Sequence, residues 1–199
     1  MVVVYAILGT LGLALIYVVG TYNALMRLRQ HVRESWSDID TELKRRYDLI
    51  PNLVETVMGY AAHERETLEA VLNARAKAVS STGGPGSQAR DENAFVALLR
   101  RLFAVVEAYP ELKANQGFVR LQRELTLTED RIQAARRFYN GNVRDLNTRI
   151  HVFPSNLIAS LFGIRQEEFF EIEAMARAVP GVQLRARVVP PADTGPAKP

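Results

Sequence analysis

The sequence has no cysteine and only three histidines. Without cysteine the chain cannot form disulfides, thiolate zinc sites or a thiol nucleophile, which excludes several classes of enzyme and of small secreted scaffold. His31, His63 and His151 each lack a glutamate three positions earlier, so they do not fit the Glu-x-x-His pattern of di-iron bundles. His63-Glu64 also begins like a zinc-protease motif, but Thr67 stands where the second histidine is required. We therefore expect no metal and no other cofactor.

Phosphate-binding loops and nucleophile motifs are missing as well. The chain contains neither Gly-x-Gly-x-x-Gly nor Gly-x-x-x-x-Gly-Lys. Ser155 has none of the flanking glycines of a nucleophile elbow, and a helix N-cap explains it better. The carboxylates Glu129 and Asp130 point to different helix faces, which suits solubility better than acid/base catalysis. These absences predict a protein that is not an enzyme.

Neither sign of charge is in large excess. The formal net charge is +3, from 25 basic and 22 acidic residues. The two signs alternate along the chain, as in the pairs Asp40 to Lys44 and Glu42 to Arg46, which are spaced to meet on a solvated helix face. A nucleic-acid-binding protein would gather its basic residues into one patch. We expect no nucleic-acid partner.

The chain does contain one long apolar run, over residues 2–22, and its first charged side chain is Arg27. A helix of roughly 20 apolar residues crosses the ~30 Å hydrocarbon core of a bilayer, so the run predicts a transmembrane anchor with residues 2–22 in lipid. The alternative is a cleaved signal peptide, which would show a basic n-region and a shorter apolar core. Only Val18 and Gly20 favour cleavage.

Orientation is predicted by the arginines that follow the run, Arg27, Arg29 and Arg33, together with the lack of a basic side chain before it. The positive-inside rule places such a flank in the cytoplasm. We expect a single-pass protein of the cell membrane whose C-terminal portion is cytoplasmic.

Apolar side chains recur every three or four residues, which is the spacing of helices that bury one face. One such stripe follows the anchor without a turn signal, so the membrane helix is expected to continue into the folded domain. Its members are Leu25, Leu28, Val32, Trp36, Ile39, Leu43 and Tyr47. A second stripe comprises Phe118, Leu121, Leu125, Thr128, Ile132, Ala135, Tyr139, Val143, Leu146 and Ile150.

Prolines and glycines divide the remaining sequence into helices. Pro51 predicts the end of the first helix near Leu49 and the start of a second, which runs to about Val79. The Gly/Ser/Pro cluster at 80–87 predicts a flexible loop, and a third helix is expected over about 90–108. Helices this long with short connections bury their stripes against one another. The predicted fold is all-α, with an N-terminal transmembrane helix continuous with a long antiparallel four-helix bundle.

We place the anchor at residues 1–22 and the bundle at residues 23–175. Residues 176–199 are rich in proline and poor in large apolar groups. Such a segment buries too little surface to offset its conformational entropy, so a disordered tail is predicted.

Several blocks of the sequence resemble the LemA family, in the same order along the chain. They are YNAL at 22–25, WSDID at 36–40, LKRRYDLIPNLVETV at 43–57, YAAHE at 60–64, YPELKAN at 109–115, RRFYN at 136–140 and FPSNLIA at 153–159. The resemblance covers roughly residues 1–172. It implies a bacterial-type single-pass membrane protein with a cytoplasmic four-helix bundle and a largely unassigned role. It transfers no catalytic residue.

Two surface features are candidate sites. Because the fourth helix of an up-and-down bundle returns towards the membrane, the segment after it is expected at the bilayer. Its residues Leu157, Ile158, Leu161 and Phe162 are predicted to form one apolar face on a short helix, which is either a lipid contact or a cap on the bundle. Arg136 and Arg137 lie beside aromatic residues and form a candidate patch for a polar partner, although simple exposure on a soluble face is the preferred interpretation.

The function predicted from the sequence is that of a non-catalytic scaffold or adaptor at the cytoplasmic membrane surface. Its expected partners are the lipid bilayer and one or more unidentified proteins, with homo-oligomers as a further option. The alternative is a membrane-associated hydrolase or transferase with a site among His63, Glu64, Arg136 and Arg137. Convergence of these four side chains in one pocket would favour the enzyme.

Overall fold

The computed structural model describes residues 1–173, and within that range the chain forms helices and connecting segments without a β-strand. A 3-10 turn, Ala62–Glu64, lies between the first two helices. The helices are α1 (Val2–Met58), α2 (Arg65–Val79), α3 (Pro85–Val106), α4 (Pro110–Ala114), α5 (Gln116–His151) and α6 (Ser155–Leu161). The predicted all-α fold is confirmed. The predicted tail at 176–199 lies outside the described residues.

The longest element, α1, has 57 residues, which corresponds to about 85 Å at 1.5 Å per residue. Its first part is exposed: among residues 2–20 only Val18 is even half-buried. From Thr21 onwards one face is buried, beginning with Leu25 and Val32. The predicted continuity between the apolar segment and the bundle is confirmed, because no break separates the two parts of this helix.

The long helix α5 packs antiparallel along α1. Two contacts set the register: the Asn142 amide donates to the Ser35 hydroxyl over 3.1 Å, and the Arg46 guanidinium donates to Glu129 over 3.0 Å. The α2–α3 hairpin covers the part of α1 farthest from the apolar segment, here called the distal end. At the other, proximal end, α6 folds back onto α1 and α5.

The predicted helix break at Pro51 is wrong. The α1 helix continues through Pro51 to Met58, and the chain turns at residues 59–61 instead. A proline inside a helix leaves the carbonyl four residues earlier without its N–H donor. Here that carbonyl belongs to Tyr47, and it accepts a hydrogen bond of 2.7 Å from Nε of Arg75 on α2. The neighbouring helix therefore supplies the donor that the proline removes.

The third helix begins earlier than predicted. Pro85 occupies the first turn of α3 and Gly84 is its N-cap, so the helix starts inside the Gly/Ser/Pro cluster. Proline suits this position because the first-turn N–H groups have no intrahelical partner. The connecting loop is thus shorter than the sequence indicated.

The two apolar stripes form the core, as predicted. Leu25, Ile39 and Leu43 of α1 are buried against Leu125 and Ile132 of α5 in one hydrophobic cluster. Leu28, Trp36, Leu121, Ala135 and Ile150 are partly buried and pack against it.

Candidate membrane interface and the contacts that position it

The proximal end is where the apolar segment of α1 meets the bundle. The rings of Tyr22 and Phe162 lie 4.7 Å apart between centroids, so the residue after α6 packs against α1 where the apolar run ends. Thr21 and Leu25 are buried at the same level. The proximal end of the bundle and the end of the apolar segment therefore form one continuous surface.

The four apolar residues of this end do not share one face. Ile158 is buried together with Ala159, whereas Leu157 is 61% exposed, Leu161 75% and Phe162 50%. Leu157 and Leu161 are one helical turn apart on α6, while Ile158 lies about 100° around the helix and faces the core. The predicted single face is corrected to two exposed leucines, one half-exposed ring and one buried isoleucine.

The predicted N-cap role of Ser155 is also wrong, since Pro154 is the cap residue of α6 and Ser155 is its first residue. The Ser155 hydroxyl reaches back to the end of α5, where it bonds the carbonyls of Arg149 over 2.7 Å and Val152 over 2.8 Å. The last carbonyls of a helix have no intrahelical donor. Ser155 thus fastens the start of α6 to the end of α5.

Beside this end, an open groove of about 600 Å³ lies between α1 and α5. This groove was not predicted from the sequence. Its lining is rich in arginine and consists of Ala24, Arg27, Leu28, His31, Arg144, Asp145, Thr148, Arg149 and Val152. The groove brings together charged residues of α1 and α5 that lie more than one hundred positions apart in the sequence. No local sequence motif indicates this groove.

At the distal end the bundle contains a buried ionic centre, which we define as Arg46, Tyr47, Glu92 and Glu129. Arg46 is completely buried and donates to Glu129 over 3.0 Å and to Glu92. The Tyr47 hydroxyl donates to the other oxygen of Glu92. Burial, and then the negative charge of Glu92, raise the pKa of Tyr47 well above its ordinary value.

This centre corrects two predictions. Glu42 pairs with Arg45 over 3.2 Å rather than with Arg46, and Glu129 is buried rather than solvating. The pair Asp40 to Lys44 forms as predicted, over 2.6 Å. The missed signal is positional: Arg46 stands between Leu43 and Ile50, and Glu129 between Leu125 and Ile132, at steps of three and four within apolar stripes.

After α6 the chain becomes an extended strap, residues 164–173, which runs antiparallel to α5. The amide group of Asn147 exchanges two hydrogen bonds with the backbone of Glu167, of 2.9 and 3.0 Å. Asn140 does the same with Phe170, over 3.0 and 2.9 Å. Seven helical residues rise about 10.5 Å and three extended residues about 10 Å, so the two spacings match.

The far end of the strap is held by α3 and by the middle of α5. Asn93 accepts from the Glu173 N–H over 2.7 Å and donates to the Glu171 carbonyl over 3.2 Å. Arg136 donates to the Ile172 carbonyl. Arg136 is therefore occupied within the chain, while Arg137 of the predicted polar patch is exposed.

The strap also completes the core. Phe170 is fully buried and stands edge-on to Trp36, with 5.2 Å between ring centroids. Tyr139 also packs against Trp36, with 5.3 Å between ring centroids, and its hydroxyl donates to the Glu168 carbonyl over 2.8 Å. Burial, followed by the charges of Glu167 and Glu168, raises the pKa of Tyr139 well above its ordinary value.

The four residues of the alternative enzyme site do not meet. His63 and Glu64 lie in the distal turn, where Tyr60 accepts a hydrogen bond of 3.0 Å from Asn115. Arg136 is 21 residues farther along α5, which is about 30 Å. Residues 1–173 also contain no group of three or more His, Asp or Glu side chains that could hold a metal ion.

The fold and the exposed apolar helix define a membrane-associated helical bundle. One helix, α1, contains a segment long and apolar enough to cross a membrane, and none of that segment is buried. The chain belongs to the LemA family, whose profile matches residues 35–184.

The chain is also similar to several curated proteins. Protein LemA of Metamycoplasma hominis is 26% identical over 84% of this chain and 77% of its own length. Magnetosome protein MamQ 2 of Paramagnetospirillum magneticum and magnetosome protein MamQ of Magnetospirillum gryphiswaldense are each 25% identical over 75% of this chain. The chain spans 64% of the length of these two magnetosome proteins.

Proposed function

We propose that this protein is a non-catalytic scaffold that holds partner proteins at the cytoplasmic face of the cell membrane. The observation that carries the proposal is the unbroken α1 helix, in which an exposed apolar segment passes directly into the buried stripe of the bundle. About 36 residues of α1 follow the apolar segment and project about 54 Å from the bilayer. Confinement to the membrane raises the effective concentration of anything bound to this rod without any chemical step.

The separation of His63 and Glu64 from Arg136 and Arg137 supports a binding role over the enzymatic alternative. Affinity purification from membranes tests it, with a tag inserted in the exposed loop at Thr82. We expect one protein, of another kind or a second copy, in constant ratio to the bait. A control chain with residues 2–22 replaced by an unrelated apolar helix should keep this partner. Recovery of no reproducible partner by the full chain would contradict the scaffold.

The cytoplasmic orientation is supported by Arg27, Arg29 and Arg33 directly after the apolar segment. Since the chain has no cysteine, a single Thr82→Cys substitution gives a clean reporter. In intact cells an impermeant maleimide should leave it unlabelled, and permeabilisation should expose it. Labelling before permeabilisation would reverse the orientation.

We also propose that the exposed side of α6 touches lipid. Leu157 and Leu161 are exposed on α6, and Phe162, which follows α6, packs against Tyr22, where the apolar segment ends. A spin label on Leu161→Cys should be accessible to oxygen and protected from a water-soluble relaxer. The matched label on Leu127→Cys, an exposed leucine in the distal half of α5, should show the opposite. Equal accessibility at both positions would leave α6 as a cap in water.

A further inference from the structure

We infer that the proximal groove between α1 and α5 is a binding site for the headgroup of an anionic phospholipid. This inference rests on the membrane anchoring of the proposed function. It goes beyond anchoring, because it assigns a ligand class to a particular set of side chains.

The groove carries an uncompensated positive charge. Its lining includes three arginines, Arg27, Arg144 and Arg149, and a single carboxylate, that of Asp145. Among the described residues none of these three arginines has a carboxylate oxygen within 4.0 Å. His31 is turned towards Glu34, at 3.4 Å. Guanidinium groups bind phosphate oxygens through paired N–H donors, so free arginines facing each other across a groove suit a phosphate.

The arginines lie at the depth of lipid phosphates. Arg27 follows Tyr22 by five residues, about 7.5 Å along the helix. The headgroup layer occupies roughly 5–7 Å on each side of the hydrocarbon core. Asn142 is bonded to the helix turn at His31 and Ser35, so Arg149, two turns nearer the bilayer on α5, comes level with Arg27.

The groove continues into the lipid-facing surface of α1, which favours a phospholipid over a soluble phosphate. Ala24 lines the groove, and Gly20, Tyr17 and Leu13 follow it on the same helix face at steps of three and four. A Cβ on Gly20 would meet nothing within 4 Å, so the path below Ala24 is open. An acyl chain can lie along this face while its phosphate reaches the arginines.

A second groove supplies a matched control. It has about 530 Å³ and is lined by Arg120, Arg123 and Glu124, with apolar Val119 and Leu127. It is similar in size and also carries paired arginines. Arg123 precedes Arg149 by 26 residues on α5, which places it about 40 Å farther from the bilayer. Lipid headgroups cannot reach it.

The test is native mass spectrometry of the full chain, released from detergent with an equal mixture of phosphatidylglycerol and phosphatidylcholine. The wild type should retain phosphatidylglycerol preferentially. R27Q/R149Q should reduce this preference about 25-fold, since one arginine near an anionic surface contributes about fivefold. R27K/R149K should keep part of it, and R120Q/R123Q all of it. Far-UV circular dichroism checks that each variant is folded.

Three results would overturn the inference. Unchanged lipid preference in R27Q/R149Q would show that the groove is not the site, and an equal loss in R120Q/R123Q would show general charge attraction. Displacement of the lipid by millimolar inorganic phosphate would assign the groove to a soluble anion. Membrane anchoring is read separately: release of the wild type from membranes by alkaline carbonate would contradict the proposed function, while retention with no lipid preference would contradict this site alone.

Discussion

The distal and proximal halves of the bundle are held by different chemistry. In the distal half one fully buried guanidinium, that of Arg46, satisfies two carboxylates from two other helices. In the proximal half, neutral amides such as those of Asn140 and Asn147 hold the backbone of an extended strap. The two halves therefore join elements that are remote in sequence in two different ways.

The difference has an energetic consequence. Removing one partner of a buried ion pair leaves an uncompensated charge, which destabilises a protein strongly. Removing a neutral amide leaves polar groups that water can solvate once the strap loosens. We therefore expect the distal half to fail as a unit, and the strap to detach locally while the long helices remain formed.

The largest effect is expected for Arg46→Ala, which leaves Glu92 and Glu129 buried without a cation. The free energy of unfolding should fall by about 3–5 kcal/mol, measured by denaturant unfolding in detergent with circular dichroism. The control is Arg45→Ala, which removes an exposed pair with Glu42 and should cost less than about 1 kcal/mol. Equal losses of stability in the two variants would show that the buried ion pairs of Arg46 stabilise the distal half no more than an exposed pair does.

The strap is tested by Asn140→Ala combined with Asn147→Ala. Four hydrogen bonds to the strap backbone are lost, and we expect a destabilisation of about 2–4 kcal/mol. The only tryptophan, Trp36, packs against Phe170, so its emission should shift to the red as the strap detaches.

The matched control for the strap is Asn115→Ala. Asn115 caps α5 at the distal end by accepting from the Phe118 N–H over 3.0 Å. Its loss should cost about 1 kcal/mol and leave Trp36 emission unchanged. If the strap variant unfolded α1 and α5 together, instead of accelerating amide exchange only in residues 164–173, the strap would belong to the same cooperative unit as the ionic centre.

A smaller effect is expected at the Tyr47 carbonyl in the distal half. Arg75→Ala removes its donor, and Pro51 offers no N–H in exchange, so we expect a loss of about 1–2 kcal/mol. In a Pro51→Ala background the helix supplies its own N–H, and the same substitution should cost little. A double-mutant cycle measures this coupling. Additive effects would show that Arg75 does not compensate for the proline.

At neutral pH the smallest effect is expected for two tyrosines, one from each half, whose contribution to stability changes only at high pH. Burial raises the pKa of Tyr47 and of Tyr139 above the ordinary value of 10.0. The unfolded chain therefore loses these protons first, so stability is complete below pH 10 and falls as the pH rises above it. Above pH 10 each tyrosine should lower the free energy of unfolding by about 1.4 kcal/mol per pH unit.

Tyr47→Phe and Tyr139→Phe should each flatten this alkaline dependence, measured as the free energy of unfolding against pH. An unchanged slope in either variant would show that the tyrosine ionises in the folded protein as easily as in the unfolded chain. A slope that changes only for Tyr47 would mark the strap region as open to water.

Most helix positions could be predicted, because a helix that buries one face repeats its apolar residues every three or four positions. The stripe from Phe118 to Ile150 predicts α5 to within about two residues at each end. Pro51 misled the prediction, since the donor that rescues its helix comes from Arg75, 28 residues away. Local propensity contains no information about such a donor.

The candidate sites were less predictable. Leu157 and Leu161 are apolar by composition, but only packing separated them from the buried Ile158. The strap has no periodic pattern from which its extended conformation could be predicted. Asparagines on α3 and α5 hold that conformation through hydrogen bonds. The proximal groove joins arginines of two helices whose register is set by long-range contacts.

By itself the sequence determined that this protein has an apolar segment long enough to cross a membrane and long amphipathic helices, since both depend on composition and spacing within a few turns of the chain. Tertiary structure alone decided which charges are buried and which are free. Arg46 meets Glu129 across 83 residues, and Asn142 meets His31 across 111. The interaction energies of such pairs arise only when distant segments are brought within a few ångströms and water is removed from between them.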